Sequence, residues 1–264
     1  DKVTTERLKQ IEASTDCFDR ELWDDLAEAG LLGVAIPEAL GGSGFGLTEL
    51  NLVLEQQGAR TALVPLFPSL VLAAAPLLAF GSEAQQLQLL PGLASGDLIM
   101  TGAYAEAGGS LATVAHRQDE GWILSGTKVA VRAAHLARYA LVSARLDNGE
   151  PGLFIVDLQA DGVAVTSQRT TTRELEATLI LQDVAVSASD QLGDVAGGQV
   201  MLDWIQNVSA VALAATQLGV SREALAITAA YVSERQQFGR PIGSFQAIAQ
   251  RAADCYIDSI RNSN

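Results

Sequence analysis

The chain is short of charge, aromatic rings, cysteine and histidine. Only 18% of its 264 residues are charged, 5% are aromatic, and cysteine and histidine each occur twice. Cys17 and Cys255 lie near opposite ends with no CxxC or metal-ligand spacing, which excludes a disulfide or zinc scaffold and predicts buried thiols in a reducing compartment. No metal site is expected. His116 and His135 have no serine or cysteine spaced as in a nucleophile elbow, so both are expected as ordinary strand or surface residues. Basic residues are the other deficit: 17 against 31 acidic, a net charge of −14 and a pI near 4.5. Such a chain is repelled by nucleic acid and by anionic lipid, and a nucleic-acid partner is excluded. The first residues, Asp1 to Arg7, are polar and lack the apolar run of a secretory signal, so the cytoplasm is the expected location.

What the chain does have is an apolar surplus, 48% of residues, enough for a sizeable core. Residues 61–82 carry no charge and could pass for a membrane span. Pro65, Pro68 and Pro76 interrupt them, however, so a buried, proline-punctuated helical region is expected and no membrane span.

Three regions differ in periodicity and predict an α+β fold. Residues 1–96 are helical: Leu22, Leu26 and Ala29 recur at helical spacing, as do Leu50, Val53, Leu54 and Gln57. Ser82 with Gln85 forms a capping box, and Pro91-Gly92 is expected to end the helix that follows. Across residues 97–192 the period falls to two. Strands are expected at 98–104, 113–117, 122–125, 128–131, 139–144, 153–156, 163–167 and 178–186, separated by turns such as Asp119-Glu120-Gly121 and Asp147-Asn148-Gly149, in a small antiparallel barrel. Residues 193–264 return to a helical period. One helix of roughly 50 Å should run from Gly198 to about Glu234 at 1.5 Å per residue, with a second from about Ser244 to Ile260. Two helices do not close a four-helix bundle, so this third region reads as the start of a bundle that further sequence or a partner completes.

Two segments invite a ligand. Gly41-Gly42-Ser43-Gly44-Phe45-Gly46 is glycine-rich but fits neither GxGxxG nor GxxxxGK[ST], and reads as a turn between helices. The segment from Arg235 to Gln246 joins the two last helices. Its arginine could clamp a pyrophosphate, its aromatic residue could pack on a base, and its glutamine could complete an anion site. A basic helix end terminated by Gly and Pro accounts for the same residues equally well.

Arg235-x-x-Phe238-Gly239-x-x-Ile242-x-x-Phe245-Gln246 resembles the second signature of the acyl-CoA dehydrogenases. So do Leu31-Leu32-Gly33-Val34-Ala35-Ile36-Pro37-Glu38, the following Leu40-Gly41-Gly42-Ser43-Gly44, and Leu124-Ser125-Gly126-Thr127-Lys128, and the resemblance covers essentially the whole chain. It implies an N-terminal helical domain, a middle β-barrel and a C-terminal helical bundle. It also implies an FAD enzyme that oxidises an acyl-CoA to the enoyl-CoA, with a glutamate as base and an electron-transferring flavoprotein as reoxidant. By resemblance, Arg235, Phe238 and Gln246 contact the adenine and pyrophosphate end of FAD held mainly by a neighbouring subunit.

Other positions depart from the family. In the loop Tyr104 to Ser110, which aligns with the family's flavin-contacting Thr-Glu-Pro-Gly-x-Gly-Ser, Ala105 replaces threonine and Ala107 proline. Ala130-Val131-Arg132 stands where Trp-Ile-Thr faces the flavin. Ser209 occupies the helix position of the base in some relatives, while others carry the glutamate in a last third of the chain that would lie beyond Asn264, so no catalytic base is expected within these residues, and Ala210 replaces an arginine. The expected role is therefore the FAD-site-completing subunit of a heterotetrameric enzyme, similar to those that shorten steroid side chains. A self-sufficient homotetramer with further C-terminal sequence, and a scaffold that kept the fold without the chemistry, are the alternatives.

Overall fold

The computed structural model describes residues 2–193 and 197–261, apart from the side chain of Ile260. The outer limits of the expected first and third regions, Asp1 and 262–264, lie outside the described residues, as do 194–196. Contacts group the chain into two units, Asp1–Leu47 with Leu63–Ser209 and Thr48–Ala62 with Ala210–Asn264.

The first unit opens with α1 (Thr5–Ala13) and α2 (Arg20–Glu28), each capped by the side chain before it, Thr4 or Asp19, accepting from the third backbone N–H beyond. Leu22, Leu26 and Ala29 do not form the buried stripe of α2. Trp23 does that work, fully buried and donating its Nε1–H to the Gly96 carbonyl at 3.0 Å. An indole covers more apolar area than a leucine, so on a two-turn helix it sets the rotation.

The proline-punctuated stretch is a helix, π-helical over Phe67–Ala74 and continuing as α4 (Ala75–Phe80), and it is buried at nearly every position through Leu77. α5 (Glu83–Ser95) begins at the expected capping box of Ser82 and Gln85. It does not stop at Pro91. A proline forfeits one backbone hydrogen bond, and here Leu89, Leu90, Leu93 and Ala94 bury the flanking turns, so the helix continues to its cap at Gly96.

Eight strands follow: β1 (Met100–Ala103), β2 (Val114–Gln118), β3 (Gly121–Arg132), β4 (Tyr139–Leu146), β5 (Pro151–Asp157), β6 (Val163–Arg169), β7 (Leu175–Ser187) and β8 (Gln191–Leu192). They form one sheet in the order β6-β7-β3-β2-β4-β5-β8, with β1 added beside β4. The expected antiparallel barrel needs correction, because β1 and β2 each pair with β4 in parallel. Alternation in a sequence reports which face a residue takes, not the direction of the neighbouring strand. Two expected strands, 122–125 and 128–131, are one, bent by irregularities between Leu124 and Gly126 and between Lys128 and Val131. Leu124, Val142, Phe154, Leu179 and Leu181 fill the core against this sheet, and Trp122 meets Phe154 edge-on at 5.5 Å.

α6 (Gly198–Glu234) has 37 residues, about 55 Å at 1.5 Å per residue. It is long and apolar enough, by length and composition, to cross a bilayer. In the second unit, residues of α6 from Ala210 onward cross α3 (Leu47–Arg60), with Arg60 pairing with Glu223 at 3.0 Å and Arg222 with Glu55. Small residues permit this crossing: a Cβ on Gly58 would lie 2.0 Å from the Thr216 carbonyl oxygen, and one on Gly219 1.8 Å from that of Glu55. A tight hairpin, β9 (Gln236–Gln237) and β10 (Arg240–Pro241), then leads into α7 (Gln246–Arg261). Because the added methyl would meet backbone, Gly58→Ala should destabilise the second unit by about 1–3 kcal/mol. Circular dichroism melts would show this as a lowered Tm, and an unchanged Tm would mean that the crossing is looser than described.

Candidate functional site

The glycine-rich segment 41–46 is not a phosphate loop. The amides of Gly42, Ser43, Gly44 and Phe45 are all spent on carbonyls of Pro37, Gly33, Ile36 and Val34, leaving no nest for an anion. Neither histidine belongs to a catalytic group. His116 Nδ1 lies 2.5 Å from Asp147 on the surface, and His135 Nε2 lies 2.8 Å from the Asp16 carbonyl oxygen. The thiols are not buried as expected: Cys17 is half-buried and Cys255 exposed.

The loop from Tyr104 to Thr113 is organised around a charge pair that sequence reasoning passed over. Lys128 on β3 has no exposed surface, and its Nζ donates to Glu106 Oε1 at 2.5 Å and to Ser143 Oγ at 3.0 Å. Glu106, 6% exposed, also accepts from the backbone N–H of Ala112 at 2.7 Å and of Thr113 at 3.1 Å. The Val129 amide donates to the Ala105 carbonyl, and the Tyr104 hydroxyl to the Leu72 carbonyl of the π-helical stretch at 2.6 Å. Burial alone would raise the Glu106 carboxyl, but the Lys128 ammonium and the two amides outweigh it and hold the group below its ordinary value. The signal for this pair was a lysine at an inward position of a strand, which demands an anion.

The flavin-facing positions implied by resemblance carry little that could hold a flavin. Ala105 and Ala107 offer no side-chain donor. Ala130 takes a left-handed backbone, φ 53°, at the irregularity in β3. The Arg132 guanidinium is committed elsewhere: it lies 5.4 Å over the Phe67 ring, and its Nε is 3.5 Å from Glu176. Ser209, about a third of the way along α6, has a buried hydroxyl with no hydrogen-bond partner among the described residues. Among the described residues no base is hydrogen-bonded to that hydroxyl to activate it.

Arg235, Phe238 and Gln246 fall on one short segment: Arg235 follows α6, Phe238 lies at the tip of the β9–β10 hairpin, and Gln246 opens α7. All three side chains are exposed, Phe238 by 93%, and no hydrogen bond joins them to one another among the described residues. Neither Arg235 nor Arg240 has a carboxylate partner there. The second unit holds six arginines and six acidic residues, so the whole excess of negative charge belongs to the first unit. Guanidinium, amide and an uncovered ring form a donor set suited to a phosphate-bearing aromatic ligand such as FAD. α6 and α7 also flank a groove of about 920 Å³ lined by residues including Leu218, Leu225, Ile248 and Cys255.

The Lys128–Glu106 pair has a measurable consequence. The depressed Glu106 pKa contributes stability above the ordinary value of 4.5, and that contribution is lost as pH falls through the lower folded value. Lys128→Met strands a buried carboxylate and should cost about 3–5 kcal/mol at pH 7. In urea titrations the deficit should shrink toward pH 4, where Glu106 of the variant protonates. An equal deficit at both pH values would contradict the assignment.

Residues 1–97 match the acyl-CoA dehydrogenase N-terminal domain and residues 196–261 the C-terminal domain. Acyl-CoA dehydrogenase FadE27 of Mycobacterium tuberculosis is 40% identical over 97% of this chain, which spans 67% of that protein. Among solved structures, the ChsE4-ChsE5 complex from Mycobacterium tuberculosis includes a chain 40% identical with a TM-score of 0.91 over 97% of this chain and 69% of that one. A variant of the Tcur3481-Tcur3483 steroid ACAD matches with a TM-score of 0.89 and 44% identity, over 97% and 69% of the two chains. With helices before and after a central mixed sheet and similarity over nearly its whole length, the chain belongs to the acyl-CoA dehydrogenase family.

Proposed function

We propose that this chain is one subunit of an FAD-dependent acyl-CoA dehydrogenase and completes the FAD site of a partner subunit, holding no flavin when alone. The observation that carries the reading is an asymmetry within the chain. Arg235, Phe238 and Gln246 are present and exposed, and Arg235 has no carboxylate partner among the described residues, whereas Ala105, Ala107, Ala130 and Arg132 leave the chain's own flavin-facing positions without hydroxyl donors or an indole.

FAD, when bound, supplies the acceptor for the substrate's β-hydride. This chain's residues hold the far end of that group. Arg235 offers a forked pair of donors to phosphate oxygens, Phe238 an uncovered ring to the base, and Gln246 an amide to complete the anion site. The Ser209 hydroxyl does not remove the α-proton in this reading: it has no hydrogen-bond partner among the described residues to activate it, and its pKa is far from that of a carboxylate. An acyl-CoA whose acyl part is a steroid side chain is the substrate class, supported by the steroid ACAD among the similar structures. An electron-transferring flavoprotein is the electron acceptor, and the cytoplasm the location.

The exposed apolar residues of the second unit, Val211, Ile227, Tyr231 and Tyr256 among them, suit burial in an assembly. Purified alone, the chain should be colourless and inactive. Co-expressed with its partner subunit it should yield one FAD per two different chains, and Arg235→Ala should weaken FAD retention by the complex about tenfold, roughly the worth of one charge-assisted contact. A yellow, active homo-oligomer would overturn the proposal.

A further inference from the structure

Phe238 sits at the first central position of a two-residue hairpin turn and Gly239 at the second, with φ of 53° and 77°. Positive φ at both is the signature of the type I′ turn, whose central positions usually go to Asn, Asp or Gly. Gly239 takes that backbone freely. For an aromatic residue it is strained, and strain of this kind persists only where the surroundings hold it. Burial does not hold Phe238, which is 93% exposed. Its neighbours can: the Phe245 ring meets it edge-on, centroids 6.2 Å apart and planes at 90°. The Arg240 guanidinium lies 4.2 Å from the centroid of the same Phe245 ring.

The base of the hairpin is tied separately. The Ile242 amide donates to the Arg235 carbonyl at 2.8 Å, and the Ser244 hydroxyl to the Pro241 carbonyl at 2.7 Å. The hairpin is therefore closed by backbone pairing and these two bonds and needs nothing from the Arg240 side chain, leaving the stack of Arg240, Phe245 and Phe238 to fix where the exposed ring points.

We propose that Arg240 and Phe245 are positioning residues that hold Phe238, strained and uncovered, in the orientation in which it receives its ligand. Arg240 can serve in this way because no carboxylate among the described residues competes for it, and a guanidinium stacks on an aromatic face while remaining hydrated. The gain is preorganisation: a ring already held in place loses less freedom when the ligand arrives. This inference rests on the reading of Phe238 as an FAD contact.

The test uses the co-expressed complex and the affinity of FAD for it. Arg240→Gln should weaken FAD binding about threefold to tenfold, the range expected for an exposed cation–π contact with its aromatic pair, and Arg240→Lys should restore most of the loss. Phe238→Ala should weaken it at least as much. The double variant Phe238→Ala/Arg240→Gln should be no weaker than Phe238→Ala within about twofold, since Arg240 acts through Phe238. Fully additive losses would make Arg240 an independent contact and overturn the inference. So would an Arg240→Gln complex with wild-type affinity while Phe238→Ala is impaired, an outcome that leaves the FAD reading standing. A Phe238→Ala complex with unchanged affinity would overturn the FAD reading itself. As a readout independent of FAD, fluorine-19 spectra of the chain carrying 4-fluorophenylalanine at position 238 should move toward the solvent-exposed shift in Arg240→Gln. An unmoved resonance would show that Arg240 does not hold the ring.

Discussion

A lysine with no exposed surface must meet an anion, and Lys128 meets Glu106. The consequence extends well beyond two side chains. Glu106 gathers the amides of Ala112 and Thr113, Lys128 reaches Ser143 on β4, and the loop from Tyr104 is thereby pinned to the middle of the sheet. The segment that resembles the family's flavin loop is thus held to the sheet by a buried ion pair and two backbone hydrogen bonds. What it lacks is chemistry: its architecture survives while the side chains that would face a flavin are alanines. A loop anchored in this way but with alanine at 105 and 107 fits a chain retained for its shape and for what it lends to a neighbour.

The distribution of charge points the same way. A net charge of −14 suggests a chain ill-suited to phosphate-rich ligands, yet none of that excess lies in the second unit. Arg60 and Arg222 are used there in ion pairs between helices, while Arg235 and Arg240 are left without acidic partners. The charge balance of the protein is local, and the average over the chain conceals it.

Much of the helical framework was legible in the sequence. Gly239 and Pro241 mark the end of α6, Ser82 with Gln85 marks the start of α5, and the change of period near residue 97 marks the passage to strands. The misreadings of helices and strand pairing arise where tertiary contacts overrule local signals. Pro91 is carried through a helix because leucines on both sides of it are buried, and Trp23 displaces the leucine stripe of α2 because one indole outweighs it. The parallel pairing of β1 with β4 joins residues about forty apart, which no alternation pattern encodes. Arg235, Phe238 and Gln246 were singled out by a motif of fixed spacing, and the fold places them on one short segment. The Lys128–Glu106 pair, 22 residues apart across a loop, needed the fold to bring it together.

The account stands on one claim, that residues of this chain touch FAD held by another chain. Photolabelling tests it directly, with an FAD analogue carrying an azide on the adenine bound to the assembled complex, followed by trypsin digestion. The account predicts that the label falls on the peptide of this chain spanning residues 236–251, which contains Phe238 and Gln246. Label confined to the partner subunit would contradict it.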